Sequence, residues 1–220
     1  MSEIRFTLLS EGSSDKVLLA ILRWLLQQHF EKYEIQAEWA DLSRLPNPPK
    51  TLDARIHMSL ELYPCDVLFV HRDADNQGWE KRWKEISQAW ELINKSGECS
   101  ASLVPVIPIR MTEAWLLFDK GAIRRAASNP RGQVDLDMPT LKTLEGIPNP
   151  KLTLQNLLKR ASEASGRKLK RFNERSSTCV VRIADSIDDF SPLRSLTAFQ
   201  RLEGDIRKLA LSQTGLEPGF

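Results

Sequence analysis

Residues 4–30, IRFTLLSEGSSDKVLLAILRWLLQQHF, decide the fold. Ile4 to Leu9 is a short apolar run stopped by Ser10-Glu11-Gly12, and Ser13 or Ser14 can cap a helix running to about Phe30. The expected order is strand, turn, helix. Val17, Leu18, Leu19, Ile21, Leu22, Trp24, Leu25 and Leu26 make the helix apolar nearly all round, as required when it lies buried between a sheet and other helices.

Working outward, Ile35 to Trp39 reads as a second strand. Pro46-Asn47-Pro48-Pro49 must be a loop, because proline fixes φ and lacks a donor, and Leu52 to Tyr63 follows as a helix. Val67 to Val70 is a buried strand by its length, branching and flanks. Between Gln77 and Lys95, Trp79, Trp83, Ile86, Trp90 and Ile93 recur at steps of three and four, one helical stripe. Three tryptophans can serve as a stacking platform for bases, but the two isoleucines in the same stripe point to core packing. Leu103 to Ile109 gives a fourth strand, and Thr112 to Phe118 is helical.

Strands alternating with helices predict an α/β fold over 1–120, a parallel sheet flanked by helices. Beyond 120 the pattern changes to helices near Leu152–Ala161, Val180–Ile187 and Pro192–Leu211, joined by an irregular stretch from Asn129 to Pro150. Residues 121–220 therefore read as a helical C-terminal part packed on the sheet, in one structural unit with it.

Composition excludes several classes. At 220 residues, 41% apolar and 27% charged, the chain has what a packed core needs and is not a disordered or low-complexity protein. The opening MSEIRFTLLSEG lacks the charged n-region and long apolar stretch of a secretory signal, and Arg23 interrupts the longest apolar run, so neither secretion nor a membrane span is expected. Cys65, Cys99 and Cys179 are scattered, without metal or disulfide spacing, which suits a reducing cytoplasm. The net charge of +2 is small but unevenly placed. From Lys159 to Arg175 seven basic residues face two acidic ones, a charge of +5 that leaves the rest at −3. Arg167, Lys168, Lys170 and Arg171 are its centre and the candidates for contact with nucleic-acid phosphates; the same run also reads as a solvated face.

In open α/β sheets, ligands bind outside the carboxyl ends of the strands. Glu11 follows the first strand, Asp73 and Asp75 the third, and Glu113 the fourth, so all four are expected at one edge. Clustered carboxylates repel unless cations compensate, and hard oxygen donors suit Mg²⁺ or Mn²⁺. Aspartates two apart can also simply end a strand and start a helix. Arg110 can grip a phosphate or pair with Glu113 three residues on. Asp15 reads as a helix-start acid, Asp119 as a helix-end acid, and His71 as an exposed loop histidine or a phosphate contact.

Glu11-Gly12-Ser13-Ser14-Asp15 after a first strand and Asp73-Ala74-Asp75 after a later one resemble the signature of TOPRIM domains, the metal-binding fold of topoisomerases, bacterial primases and OLD-type nucleases. Arg110-Met-Thr-Glu-Ala-Trp-Leu-Leu and Ile147-Pro-Asn-Pro-Lys151 resemble a small TOPRIM-like bacterial family found beside ATPases in phage-defence loci. The resemblance implies a TOPRIM-like Rossmannoid sheet. It also implies a metal-dependent nuclease in which Glu11, Asp73, Asp75 and Glu113 hold Mg²⁺ or Mn²⁺, and Lys151 matches a phosphate-contacting lysine of OLD-type nucleases.

Two departures narrow this. A third aspartate two beyond Asp75 is replaced by Gln77, and neither Tyr33 nor Tyr63 sits near a strand's carboxyl end, which disfavours a topoisomerase. GxxxxGK[ST] is missing, so an ATPase would be a separate subunit. The expectation is a cytoplasmic nuclease acting on DNA or RNA, with a non-catalytic module docking an ATPase as its rival. A phosphatase with Asp73 as nucleophile is disfavoured, because Asn76-Gln77 follows without the usual hydroxyl residue.

Overall fold

Four parallel strands alternate with helices in the computed structural model, which describes residues 2–95 and 99–214. The strands are β1 (Ser2–Leu9), β2 (Tyr33–Trp39), β3 (Val67–His71) and β4 (Ser102–Val106), in the order β2-β1-β3-β4. Leu8 pairs with Trp39 on one side and Phe69 on the other, and His71 with Val106. All five residues of β3 are buried, because an inner strand of a parallel sheet covered on both faces has no polar side. Edge strand β2 alternates instead, with Glu34, Gln36 and Glu38 exposed, and edge strand β4 carries Pro105; charges and proline both discourage pairing with another sheet.

One face is covered by α1 (Leu18–His29), α7 (Ser176–Asp185) and α8 (Thr197–Thr214), so that Phe6, Leu8 and Phe69 share a core with Leu22, Ile183 and Phe199. The opposite face packs Leu68 and Val70 on Ile56 of α2 (Leu52–Leu62) and Ile86 of α3 (Trp79–Ile93). The helices beyond 120 thus extend the same core as the sheet. No helix among the described residues is long and apolar enough to cross a membrane.

Several elements differ from expectation. The first helix opens as a 3-10 turn, Ser13–Val17, before α1 proper. The fourth strand ends at Val106, not Ile109, because Pro108 cannot donate to a ladder and the chain turns along the loop after β3. A helix unforeseen from the sequence, α4 (Lys120–Ala126), is capped by Asp119, whose Oδ1 accepts from Ala122 N at 2.7 Å. Helix α5 (Pro150–Ser162) begins at Asn149, whose Oδ1 accepts from Leu152 N at 2.9 Å. The basic window begins at the end of α5 and its centre, Arg167 to Arg171, forms a further helix, α6 (Gly166–Glu174). The tryptophan stripe is core only in part: Ile86 is fully buried, while Trp83 is 44% exposed and stacks on Trp79 with ring centres 6.3 Å apart.

Replacing Asn149 with Ala removes the α5 cap and is expected to cost about 1 kcal/mol. A thermal melt should show a fall of roughly 2–4 °C. An unchanged melting temperature would mean that the cap contributes nothing.

Candidate functional site

Strand order reverses between β1 and β3, since the chain leaves β1 for β2 on one side and reaches β3 on the other. The crevice outside their carboxyl ends is where α/β sheets place ligands. Glu11 stands there, with Oε1 3.0 Å from Arg72 Nε in an ion pair, and Arg72 Nη2 lies 3.0 Å from Glu85 Oε1. Glu11 and the loop carrying the two aspartates are therefore neighbours across the reversal.

Three backbone bonds lace that loop to the segment after β4: Arg72 N donates to Val106 O, Ala74 N to Pro108 O and Asp75 N to Arg110 O. They bring Thr112 and Glu113 beside Asp73. Asp73 Oδ1 accepts from Thr112 N at 3.0 Å and lies 3.1 Å from His71 Nε2, and the Thr112 hydroxyl stands 3.0 Å from the same ring nitrogen. Asp75 is exposed on the solvent side of the loop with φ 46°, a left-handed conformation that an aspartate tolerates better than most residues.

His71 is 1% exposed, not the loop histidine expected. As the last residue of β3 it shares a face with Val67 and Phe69, and so points into the core beneath the 3-10 turn. Its Nδ1 faces Asp15 Oδ2 at 3.5 Å. Asp15 does start the turn, its Oδ2 accepting from Gly12 N at 2.9 Å, but it is also the second carboxylate of a buried Asp15–His71–Asp73 trio. Burial alone would push the imidazole pKa down; the two flanking carboxylates outweigh it and hold the pKa at about 9, so the ring is a cation at neutral pH. The Asp15 carboxyl is lowered despite its burial, because His71 sits beside it.

Glu113 is buried, and burial raises its carboxyl pKa, with the charges of Asp73 and Asp15 adding to the rise and Lys151 opposing it. Those four groups thus lie within electrostatic reach of one another. Lys151, exposed in the first turn of α5, lines with Glu113 a cavity of about 300 Å³. Arg110 does not pair with Glu113: its φ is 69° and its Nη1 donates to Asn76 Oδ1 at 2.6 Å. Arg167, Lys168, Lys170 and Arg171 are all exposed on α6, and none forms an ion pair among the described residues. Helix α6 packs between α5 and α7, the two helices that wall the cavity.

The carboxylates are donors of the type Mg²⁺ and Mn²⁺ prefer. In this conformation, Arg72 and His71 supply the compensating charge. Among the described residues no three His, Cys, Asp or Glu side chains stand where together they could hold a metal ion. Glu11 would have to swing away from Arg72 to join such a site. Asp15, Thr112 and Arg72 were not assigned to the site from sequence, and His71 was read there as an exposed loop residue or a phosphate contact. Only His71 carried a signal there, the strand parity that turns it inward. No protein-family model, curated protein or solved structure gives a significant match to this chain.

Proposed function

We propose that this chain is a divalent-metal-dependent phosphodiesterase on a TOPRIM-like fold, cutting DNA or RNA in the cytoplasm as the effector of a phage-defence system with a separate ATPase. The observation that carries the reading is the placing of acids from three strand ends at the β1/β3 reversal, with Lys151 and Glu113 lining one cavity and the exposed basic helix α6 packed on the helices that wall it. Glu11, Asp73, Asp75 and Glu113 would hold Mg²⁺ or Mn²⁺, which when bound polarises phosphoryl oxygens and lowers the pKa of water.

The chain's own groups do the rest. Thr112 N and His71 fix the orientation of the Asp73 carboxylate through Oδ1. Burial raises the Glu113 carboxyl pKa, so proton loss and metal binding at this residue would be coupled. Lys151 and Arg110 would steer the phosphate, and the α6 cations would hold the backbone on either side without reading sequence.

The purified chain should nick plasmid or cleave tRNA with Mn²⁺ and lose that activity in EDTA. Inactivity on both, at every divalent ion tried, would count against the reading. One observation favours the rival, a non-catalytic module docking an ATPase: Glu11 and Asp73 are already neutralised by Arg72 and His71. Changing Arg167, Lys168, Lys170 and Arg171 together to Gln separates the two. A nuclease surface should lose affinity for unrelated sequences alike and show a flatter slope of log K against log salt. An unchanged slope, with loss of an ATPase partner, would support the docking module.

A further inference from the structure

The cavity beside Glu113 has a chemical character of its own. Its floor is aliphatic, formed by Leu154 of α5 with Val180 and Val181 of α7. Its rim carries short polar groups: the hydroxyls of Ser13, Ser14 and Thr178 and the amide of Gln155. Glu113 and Lys151 complete the lining, and Glu113 feels the charges of Asp73 and Asp15. Aliphatic side chains beside hydrogen-bonding groups fit a planar heterocycle, whose faces are apolar and whose edges donate and accept. The volume, about 300 Å³, is at the lower limit for small-ligand pockets, room for one nucleoside unit rather than a length of polymer.

Ser13 is also a wall of a second crevice, about 400 Å³, on the other side of the turn. Its charged lining is balanced: Glu11 and Asp41 against Lys50 and Arg55. Arg55 is pushed below its ordinary pKa by burial and then by the neighbouring Arg72 cation, with Glu11 opposing the fall, and its Nη2 donates to Ser10 O. The apolar pocket and this polar crevice thus meet at one serine, with Glu11 lining one and Glu113 the other.

We propose that the cavity formed by the Ser13–Ser14 turn, Glu113, α5 and α7 receives a single unstacked nucleobase, with the sugar-phosphate chain leaving past Ser13. This rests on the phosphodiesterase reading and makes it more specific: the substrate is a single strand, or a duplex from which one nucleotide is turned out. A paired, stacked base cannot enter such a pocket without leaving its helix, which costs a few kcal/mol per base.

Calorimetry in EDTA, with adenosine, guanosine, cytidine and uridine 5′-monophosphates against ribose 5-phosphate, reads the pocket without catalysis. At least one nucleotide should bind tenfold or more tighter than the sugar phosphate. Thr178→Trp, at an exposed position on the rim, should erase that difference; if it fails to fold, the comparison of ligands on the parent stands by itself. Equal binding of all five ligands would overturn the proposal. With Mn²⁺, the parent should cleave a single-stranded oligonucleotide at least tenfold faster than the same sequence in a perfect duplex, and equal rates would also overturn it. Hydrolysis of bis(p-nitrophenyl) phosphate, which has no base, separates the two ideas. Hydrolysis without any preference for bases removes the pocket alone, whereas no hydrolysis of either diester removes the phosphodiesterase reading beneath it.

Discussion

Asp73→Ala should lower the unfolding free energy by about 3 kcal/mol, because it strips a buried imidazolium of one carboxylate and leaves Thr112 N without an acceptor. In a chain of this size that is a fall of roughly 6–12 °C in melting temperature. Viewed only as one of four repelling acids, Asp73 would be removable without loss of stability; its hydrogen bonds reverse that expectation. Asp73→Asn, which keeps an acceptor for Thr112 N, should recover part of the loss.

The same trio sets a pH dependence. His71 has a folded pKa of about 9, above its ordinary 6.5, so its contribution is complete below pH 6.5 and is lost as pH rises through 9. The difference corresponds to about 3 kcal/mol. Asp15, held below its ordinary 3.8, contributes above that value and loses its contribution as pH falls through the lowered pKa. Urea unfolding of the parent should weaken between pH 6.5 and 9.5, and His71→Gln should flatten that window. A parent equally stable at both ends would mean that the imidazole is neutral in the fold.

Glu11→Gln should have the opposite profile. Glu11 is exposed and its ion pair with Arg72 is only partly shielded, so the substitution should cost at most about 1 kcal/mol. Cleavage should nevertheless fall on the order of 10²-fold or more, the scale of losing one group that stabilises developing charge. Activity unchanged in a folded Glu11→Gln protein would remove this residue from the chemistry. Asp75→Asn should behave alike, since Asp75 is exposed.

Much of this was legible in the sequence for a simple reason. Ile4–Leu9 and Val67–Val70 are inner strands covered on both faces, so apolar runs betray them, and the acids at their ends are placed by the rule for open sheets. Helix α6 was harder to see, because only Leu169 and Phe172 are half-buried among its charges and two apolar residues define no period. The Trp83 ring was read as core from helical spacing, yet spacing does not say where the covering layer ends. Least legible were the partners of the acids. That Arg72 would neutralise Glu11, or His71 lie between Asp15 and Asp73, depends on contacts 56 to 61 residues apart in the chain, which no local pattern encodes.

Those partners also sharpen the central question, because Glu11 must leave Arg72 for the carboxylates to hold a cation together. A Mn²⁺ titration of the purified chain, followed by the paramagnetic resonance signal of the free ion, addresses this directly. Saturable binding by the parent, weakened tenfold or more in folded Glu11→Gln and Asp75→Asn, is the predicted result. No saturable binding, or the same isotherm for the parent and both variants, would contradict a metal centre at the β1/β3 crevice.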